Sequence, residues 1–165
     1  LKSTGTFITM NFGSNTTFSS TNTIGTFLNG DYLTNYVDSS YREMIEDSTT
    51  WYLGTVGSGT SYKIAKYTDT TGTSTNLNVA EAKVGLLRFG ELMLGQFDKT
   101  DNNIRYWTLT SYDTSLVYGG GDAIGLVLIY PSDTIGVRPS LNLKSNVVIT
   151  SGLGTKEQPF EIALQ

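Results

Sequence analysis

The segments Tyr106-Trp-Thr-Leu-Thr110, Leu116-Val-Tyr118 and Ile124–Tyr130, the last two separated by Gly119-Gly-Gly-Asp122, decide how this chain reads. Each is short, apolar and rich in aromatic or β-branched residues. Glycine and aspartate between Tyr118 and Ile124 predict a hairpin. Outward from this centre, Gly136-Val-Arg-Pro-Ser-Leu-Asn-Leu143 and Val147-Val-Ile-Thr150 read as closing strands. Ala82-Lys-Val-Gly-Leu-Leu87 reads as another, and Trp51–Val56 and Tyr62–Tyr67 flank the turn Gly57-Ser-Gly59. Thr6-Phe-Ile-Thr-Met-Asn-Phe12 alternates apolar and polar side chains, the period of a half-buried strand, so residues 1–30 are expected to be strand and turn.

Helical signals are few. Tyr32, Leu33, Tyr36 and Val37 have the spacing of one helix face. Ser40-Tyr-Arg-Glu43 has capping-box spacing before Met44 and Ile45, which predicts one or two short helices over 31–47 with Tyr41, Met44 and Ile45 inward. Phe89–Leu94 is long enough for a turn or two before Gly95. The sum is an α+β domain over residues 1–165, with many short antiparallel strands, one or two short helices and long polar loops. No internal repeat interrupts it.

Composition excludes more than any motif does. The chain has no Cys and no His. Disulfides, thiolate nucleophiles, iron–sulfur clusters, Ser-His-Asp catalysis and nearly all transition-metal sites are therefore outside its repertoire. Carboxylate chemistry, a Lys or Ser nucleophile, or a hard-ion site of oxygen ligands is left, so calcium is the one cofactor kept open. The net charge is −4, with Lys and Arg scattered, which argues against nucleic acid as a partner. No apolar run approaches the roughly 20 residues of a membrane span. The 25 Thr, 16 Ser, 18 Gly and 11 Asn give a surface of uncharged, hydroxyl-rich side chains of the kind expected outside the cell or on a virion. It opens on Leu1 without a signal peptide, as a processed or trimmed form would.

Three ordered segments carry a resemblance. They are Phe18-Ser-Ser-Thr-Asn-Thr-Ile-Gly-Thr-Phe-Leu-Asn-Gly-Asp-Tyr32; Ala82–Leu87 followed by Tyr106-Trp-Thr-Leu-Thr-Ser111; and Gly136-Val-Arg-Pro-Ser-Leu-Asn-Leu-Lys-Ser145 followed by Ile149–Phe160. In this order, from about residue 10 to the end, the chain resembles an uncharacterised bacterial domain of C-type-lectin-like fold. That domain occurs in surface and type IV pilin-like proteins of Gram-positive bacteria. A Tyr-Trp strand followed by Gly-Val-Arg-Pro is also seen in the variable proteins of diversity-generating retroelements. The resemblance implies N- and C-terminal strands that meet, and an exposed stretch between Trp107 and Gly136 that binds the target. It marks Tyr112, Asp113, Tyr118, Asp122, Tyr130 and Asp133 as ligand-binding candidates. The chain lacks the paired disulfides, the Glu-Pro-Asn or Gln-Pro-Asp triplet and the Trp-Asn-Asp of vertebrate calcium-dependent lectins, and the cysteines that formylglycine-generating relatives need.

Other features have plainer readings. Trp51 and Trp107 lie within strands and are expected in the core. Asp98, Asp101, Asn102 and Asn103 lack EF-hand spacing and read as a solvated loop. Glu43, Glu46, Glu91, Asp113 and Asp122 could supply a carboxylate pair for glycoside hydrolysis, but no local pattern singles one out. Gly119–Asp122 lacks the Lys-Ser/Thr of a phosphate loop and reads as a flexible turn. Arg138 is expected to hold the fold closed, and Lys144 has no usable amide partner in Asn142 or Asn146. The expectation is a non-enzymatic, extracellular domain of the bacterial cell surface that binds a glycan or a surface protein of another cell. Two other roles share the composition: the head or subunit of a pilus or other filament, touching neighbouring subunits, and a phage receptor-binding domain.

Overall fold

The computed structural model describes residues 8–54, 79–94, 105–121 and 126–165. In chain order these form β1 (Thr9–Met10), α1 (Thr23–Asn29), α2 (Asp31–Tyr36), α3 (Ser39–Arg42), β2 (Thr49–Tyr52), β3 (Val79–Ala82), β4 (Val84–Leu86) and α4 (Phe89–Leu94). Then come β5 (Tyr106–Ser111), β6 (Val117–Gly120), β7 (Leu126–Ile129), β8 (Ile135–Gly136), β9 (Pro139–Leu141), β10 (Val147–Ser151) and β11 (Glu161–Leu164). The fold is mixed α+β, with mostly strands in small sheets and few, short helices.

Strand β5 is the centre. It lies in a five-stranded sheet of order β1-β8-β5-β6-β7, antiparallel except where β5 runs beside β8. Every residue of β5 is buried because each of its faces is covered. Trp107 and Leu109 point into the main core with Phe12, Phe18, Ile24, Leu28, Trp51, Val84, Leu86, Val117 and Ile129. On the alternate positions, the Thr110 hydroxyl accepts the Phe89 N–H at 3.0 Å and the Thr108 hydroxyl donates to the Tyr118 carbonyl at 2.7 Å. The two hydroxyls thus satisfy buried backbone groups beside α4.

The hairpin between β6 and β7 forms, but Gly119 and Gly120 belong to β6 rather than to its turn. They are glycines because neighbours press on both sides of the strand. A Cβ at Gly119 would lie 2.5 Å from Ile129 Cδ1, and one at Gly120 would lie 2.7 Å from the Tyr106 hydroxyl and Leu92 Cδ2. Close approach, not flexibility, places them there.

Several sequence expectations are corrected. Residues 23–29 form α1, not strand and turn. Its cap is Asn22, whose side-chain oxygen accepts the Gly25 N–H at 2.9 Å. The 31–47 stretch does hold two short helices, but α3 is capped by Asp38, and Glu43 stands at its C-terminal end instead of closing a capping box. Met44 and Ile45 are buried, while Tyr41 is 47% exposed. The 82–87 strand is β3 and β4 with a break at Lys83, pairing with β2 and β9 respectively. The N-terminal strand β1 pairs with β8, and the C-terminal strands β10 and β11 pair with each other as a separate ribbon. Trp51 and Trp107 are in the core, as expected. The Arg138 guanidinium lies 4.1 Å above the Tyr106 ring. The Tyr62–Tyr67 strand and the Asp98–Asn103 loop fall outside the described residues.

Candidate functional site

The antiparallel order fixes which candidates come together. β5 ends, β6 begins and β7 ends at one edge of the sheet, since Ser111 pairs with Val117 and Val117 with Ile129. Tyr112, Asp113, Tyr130 and Asp133 follow those strand ends, so they gather at that edge. Asp122 lies outside the described residues. Of the other candidates, Tyr118 lies within β6, next to the Val117 pair at that same edge.

Two of the candidates, Asp113 and Tyr118, are committed to structure. The Asp113 carboxylate accepts the amides of Ser115 at 2.6 Å and Leu116 at 2.9 Å, an Asx-type closure of the 112–116 turn. Its backbone carbonyl accepts the Thr16 hydroxyl at 2.8 Å, which ties the turn to the N-terminal segment. Tyr118 is 6% exposed. Its ring packs on Phe89 at 4.7 Å and meets Tyr112 edge-on at 5.8 Å and 84°. It offers a ligand almost no surface and instead backs the half-buried Tyr112 ring. The expectation that the whole stretch from Trp107 to Gly136 is exposed is likewise corrected: β5 and β6 within it are buried on both faces.

The second turn of the site, Tyr130-Pro131-Ser132-Asp133, carries its exposed aromatic ring. Tyr130 is 60% exposed. Its carbonyl accepts the Asp133 N–H at 2.9 Å, with Pro131 at the turn position that favours proline. The Pro131 carbonyl accepts the amides of Phe12 at 2.8 Å and Gly13 at 3.2 Å. The turn is thus fixed to the body while the Tyr130 ring and the Asp133 carboxylate face water. Beside the 112–116 turn lies a small cleft lined by Thr16, Thr17, Phe18, Leu53, Gly54, Leu109 and Ser111. Its volume of about 30 Å³ holds one or two waters, not a sugar ring.

The remaining polar groups are mostly engaged. Asp47 pairs with Lys83 at 3.1 Å and Lys144 at 3.5 Å, and the Lys83 hydrogen bond, then the charge of Lys144, holds its carboxyl below the usual range. The hydroxyls of Thr50 and Ser48 do the same for Glu81. Glu91 pairs with Arg88 at 3.4 Å. Asn142 donates to Thr49 and Asn146 to the Gln165 carbonyl, so neither amide is partnered with Lys144. Among the described residues no group of three acidic side chains is placed to hold a metal ion, and no helix is long and apolar enough to cross a membrane.

Sequence reasoning missed two features. Asn29 bonds the backbone of β4, and a stack of Tyr32 and Tyr36 stands on α2. The i, i+4 spacing of the two tyrosines was available as a signal; the partner of Asn29, 55 residues away, was not. No family model, no curated protein and no solved structure matches this chain.

Proposed function

We propose that the chain is a non-enzymatic recognition domain of C-type-lectin-like fold, displayed outside a bacterial cell, that binds a glycan or protein ligand at the sheet edge formed by residues 111–116 and 130–133. The observation that carries this reading is Tyr130: a large ring, 60% exposed, on a turn pinned by two backbone hydrogen bonds to the Pro131 carbonyl. An exposed aromatic ring on a fixed turn, with the solvent-facing carboxylate of Asp133 in the same turn, offers stacking and hydrogen bonding without reordering the backbone. The absence of Cys and His from the sequence and its hydroxyl-rich composition support an extracellular binding role over catalysis.

The test is a printed array of oligosaccharides and cell-surface proteins probed with the domain and with Tyr130→Ala and Asp133→Ala. Binding by the native chain that both variants lose supports the reading. Binding that both variants retain moves the site elsewhere.

The ribbon β10–β11 favours a second reading, a filament subunit. The pairs Val147–Leu164 and Ile149–Ile162 place four aliphatic side chains on one face, and Ile149 is 61% and Leu164 41% exposed. A two-stranded ribbon is marginal alone, and a neighbouring subunit would complete it. Electron microscopy of native material distinguishes this reading, because an isolated binding domain forms no ordered polymer.

A further inference from the structure

Helix α2 carries two ridges one residue apart. Tyr32 and Tyr36, four residues apart, form one, and Asp31 and Asn35 form the other. The tyrosine rings lie 6.1 Å apart and within 13° of parallel. Phe27 from α1 buttresses both, 6.3 Å from each ring. Phe27 and Tyr32 are half-buried against the core, and burial pushes the Tyr32 hydroxyl up from its ordinary pKa. Tyr36 is 59% exposed. The stack is therefore rooted at one end and open at the other, so its outer ring is held before any ligand arrives.

The second ridge is chemically unspent. Asp31 and Asn35 are exposed, and neither side chain has a hydrogen bond or ion pair among the described residues. One offers a carboxylate acceptor, the other an amide that both donates and accepts. Arg42 of α3 is occupied: its guanidinium donates to the carbonyls of Val37 and Thr34, each at 2.9 Å.

We propose that this face of α2 is a binding site for a neutral pyranose. A pyranose has an apolar C–H face that lies on an aromatic ring, and hydroxyls around its rim that pair with a carboxylate and an amide. The ridges supply those two chemistries side by side. The charged group on the ridge is the Asp31 carboxylate, which repels an acidic sugar and accepts from the hydroxyls of a neutral one. The site shares no residue with the sheet edge and stands independently of the function proposed there.

The experiment is titration of the ¹⁵N-labelled chain with maltotriose, cellotriose and chitotriose, followed residue by residue through amide shifts. Saturable shifts centred on Asp31–Tyr36 with at least one trisaccharide are expected. Tyr36→Ala, at a mostly exposed position, should keep the fold by circular dichroism and weaken that binding about tenfold or more. Tyr36→Phe keeps the ring and should stay within about threefold. Asn35→Ala should weaken binding without altering the tyrosine stack. Absence of α2 shifts with all three sugars overturns the site, as does undiminished affinity in Tyr36→Ala. Shifts confined to residues 111–116 and 130–133 overturn it too, while leaving the sheet-edge reading standing.

Discussion

The side-chain amide of Asn29 pairs with the backbone of Val84 as a neighbouring strand would. Its Oδ1 accepts the Val84 N–H and its Nδ2 donates to the Val84 carbonyl, both at 2.9 Å, and Nδ2 also donates to the Gly25 carbonyl at 2.9 Å. One residue at the end of α1 thus satisfies the inner edge of β4 and fixes the helix on the core. Asn29→Ala should destabilise the chain by about 2–4 kcal/mol, since it leaves partly buried backbone groups unpaired. Asn29→Asp is the sharper test. It keeps the acceptor but turns a carboxylate toward two carbonyls at neutral pH. In urea unfolding it should be at least as damaging as alanine at pH 7 and should recover in acid, where a protonated carboxyl can donate.

Trp107 plays the equivalent part for the N-terminal segment. Its indole N–H donates to the Met10 carbonyl at 2.8 Å, across 97 residues of chain, and its ring meets Phe12 at 5.4 Å. Strand β1 is only two residues long, so this bond and the pairing with β8 hold it. Trp107→Phe keeps an aromatic ring but removes the donor. Unfolding should cost about 1–3 kcal/mol less than in the native chain from the unpaired carbonyl, with a further loss for the void. Hydrogen exchange of the Val137 amide, which donates to the Ile8 carbonyl at 3.0 Å, should speed up with it. Unchanged exchange would mean that β1 is held independently of Trp107.

What the sequence could and could not disclose follows from the range of each interaction. The aromatic strand at 106–111 and the short apolar strands around it are written in local pattern, and so is the mixed α+β class. Helix α1 was hidden because Thr, Asn and Gly surround Ile24, Phe27 and Leu28, and helix spacing is hard to see over seven residues. Gly119 and Gly120 look like a turn until the Ile129 and Tyr106 side chains that crowd them are known. Tyr118 sits beside a loop in sequence, but Phe89 of α4 covers it. In sequence Tyr130 reads as the end of a strand, and its exposure follows only from the resemblance; Pro131 and Asp133 after it are a turn signal that the strand reading passes over. That Asp113 is consumed by the amides of its own turn was not readable, because the same residue would look identical on a binding face.

Part of the acid limb of stability should trace to the surface carboxylates beside β2 and β3, with Asp38, held down by its hydrogen bonds to Ser40, adding its own share. Asp47 is held below its ordinary value of 3.8 first by the Lys83 hydrogen bond, then by Lys144; Glu81 is held below 4.5 by the Thr50 and Ser48 hydroxyls. A folded pKa below the unfolded one gives stability that is complete above the unfolded value and lost as pH falls through the folded one. The urea midpoint should therefore be level from neutrality down to about pH 5 and fall below about pH 4. Asp47→Asn and Glu81→Gln should each make that fall shallower. Added salt should mute the Asp47 share more than the Glu81 share, because only Asp47 relies on exposed ion pairs.

The two tyrosines Tyr118 and Tyr130 should separate packing from recognition. Tyr118 is buried between Phe89 and Tyr112, so Tyr118→Ala removes a ring from the layer under α4 and should cost about 3–5 kcal/mol, as large aromatic truncations do. Tyr130 projects into water from a turn whose geometry rests on backbone bonds, so Tyr130→Ala should shift stability by no more than about 0.5 kcal/mol. Ligand binding should show the reverse order of directness. Tyr130→Ala should weaken it in a fully folded chain, whereas Tyr118→Ala should weaken it only as far as Tyr112 loses its support. The check is parallel urea melts and array binding on both variants, with Tyr118→Phe as the companion that keeps the ring. Full binding by Tyr130→Ala would remove the sheet edge from consideration, and a folded, unweakened Tyr118→Ala would show that α4 does not press the ring as described.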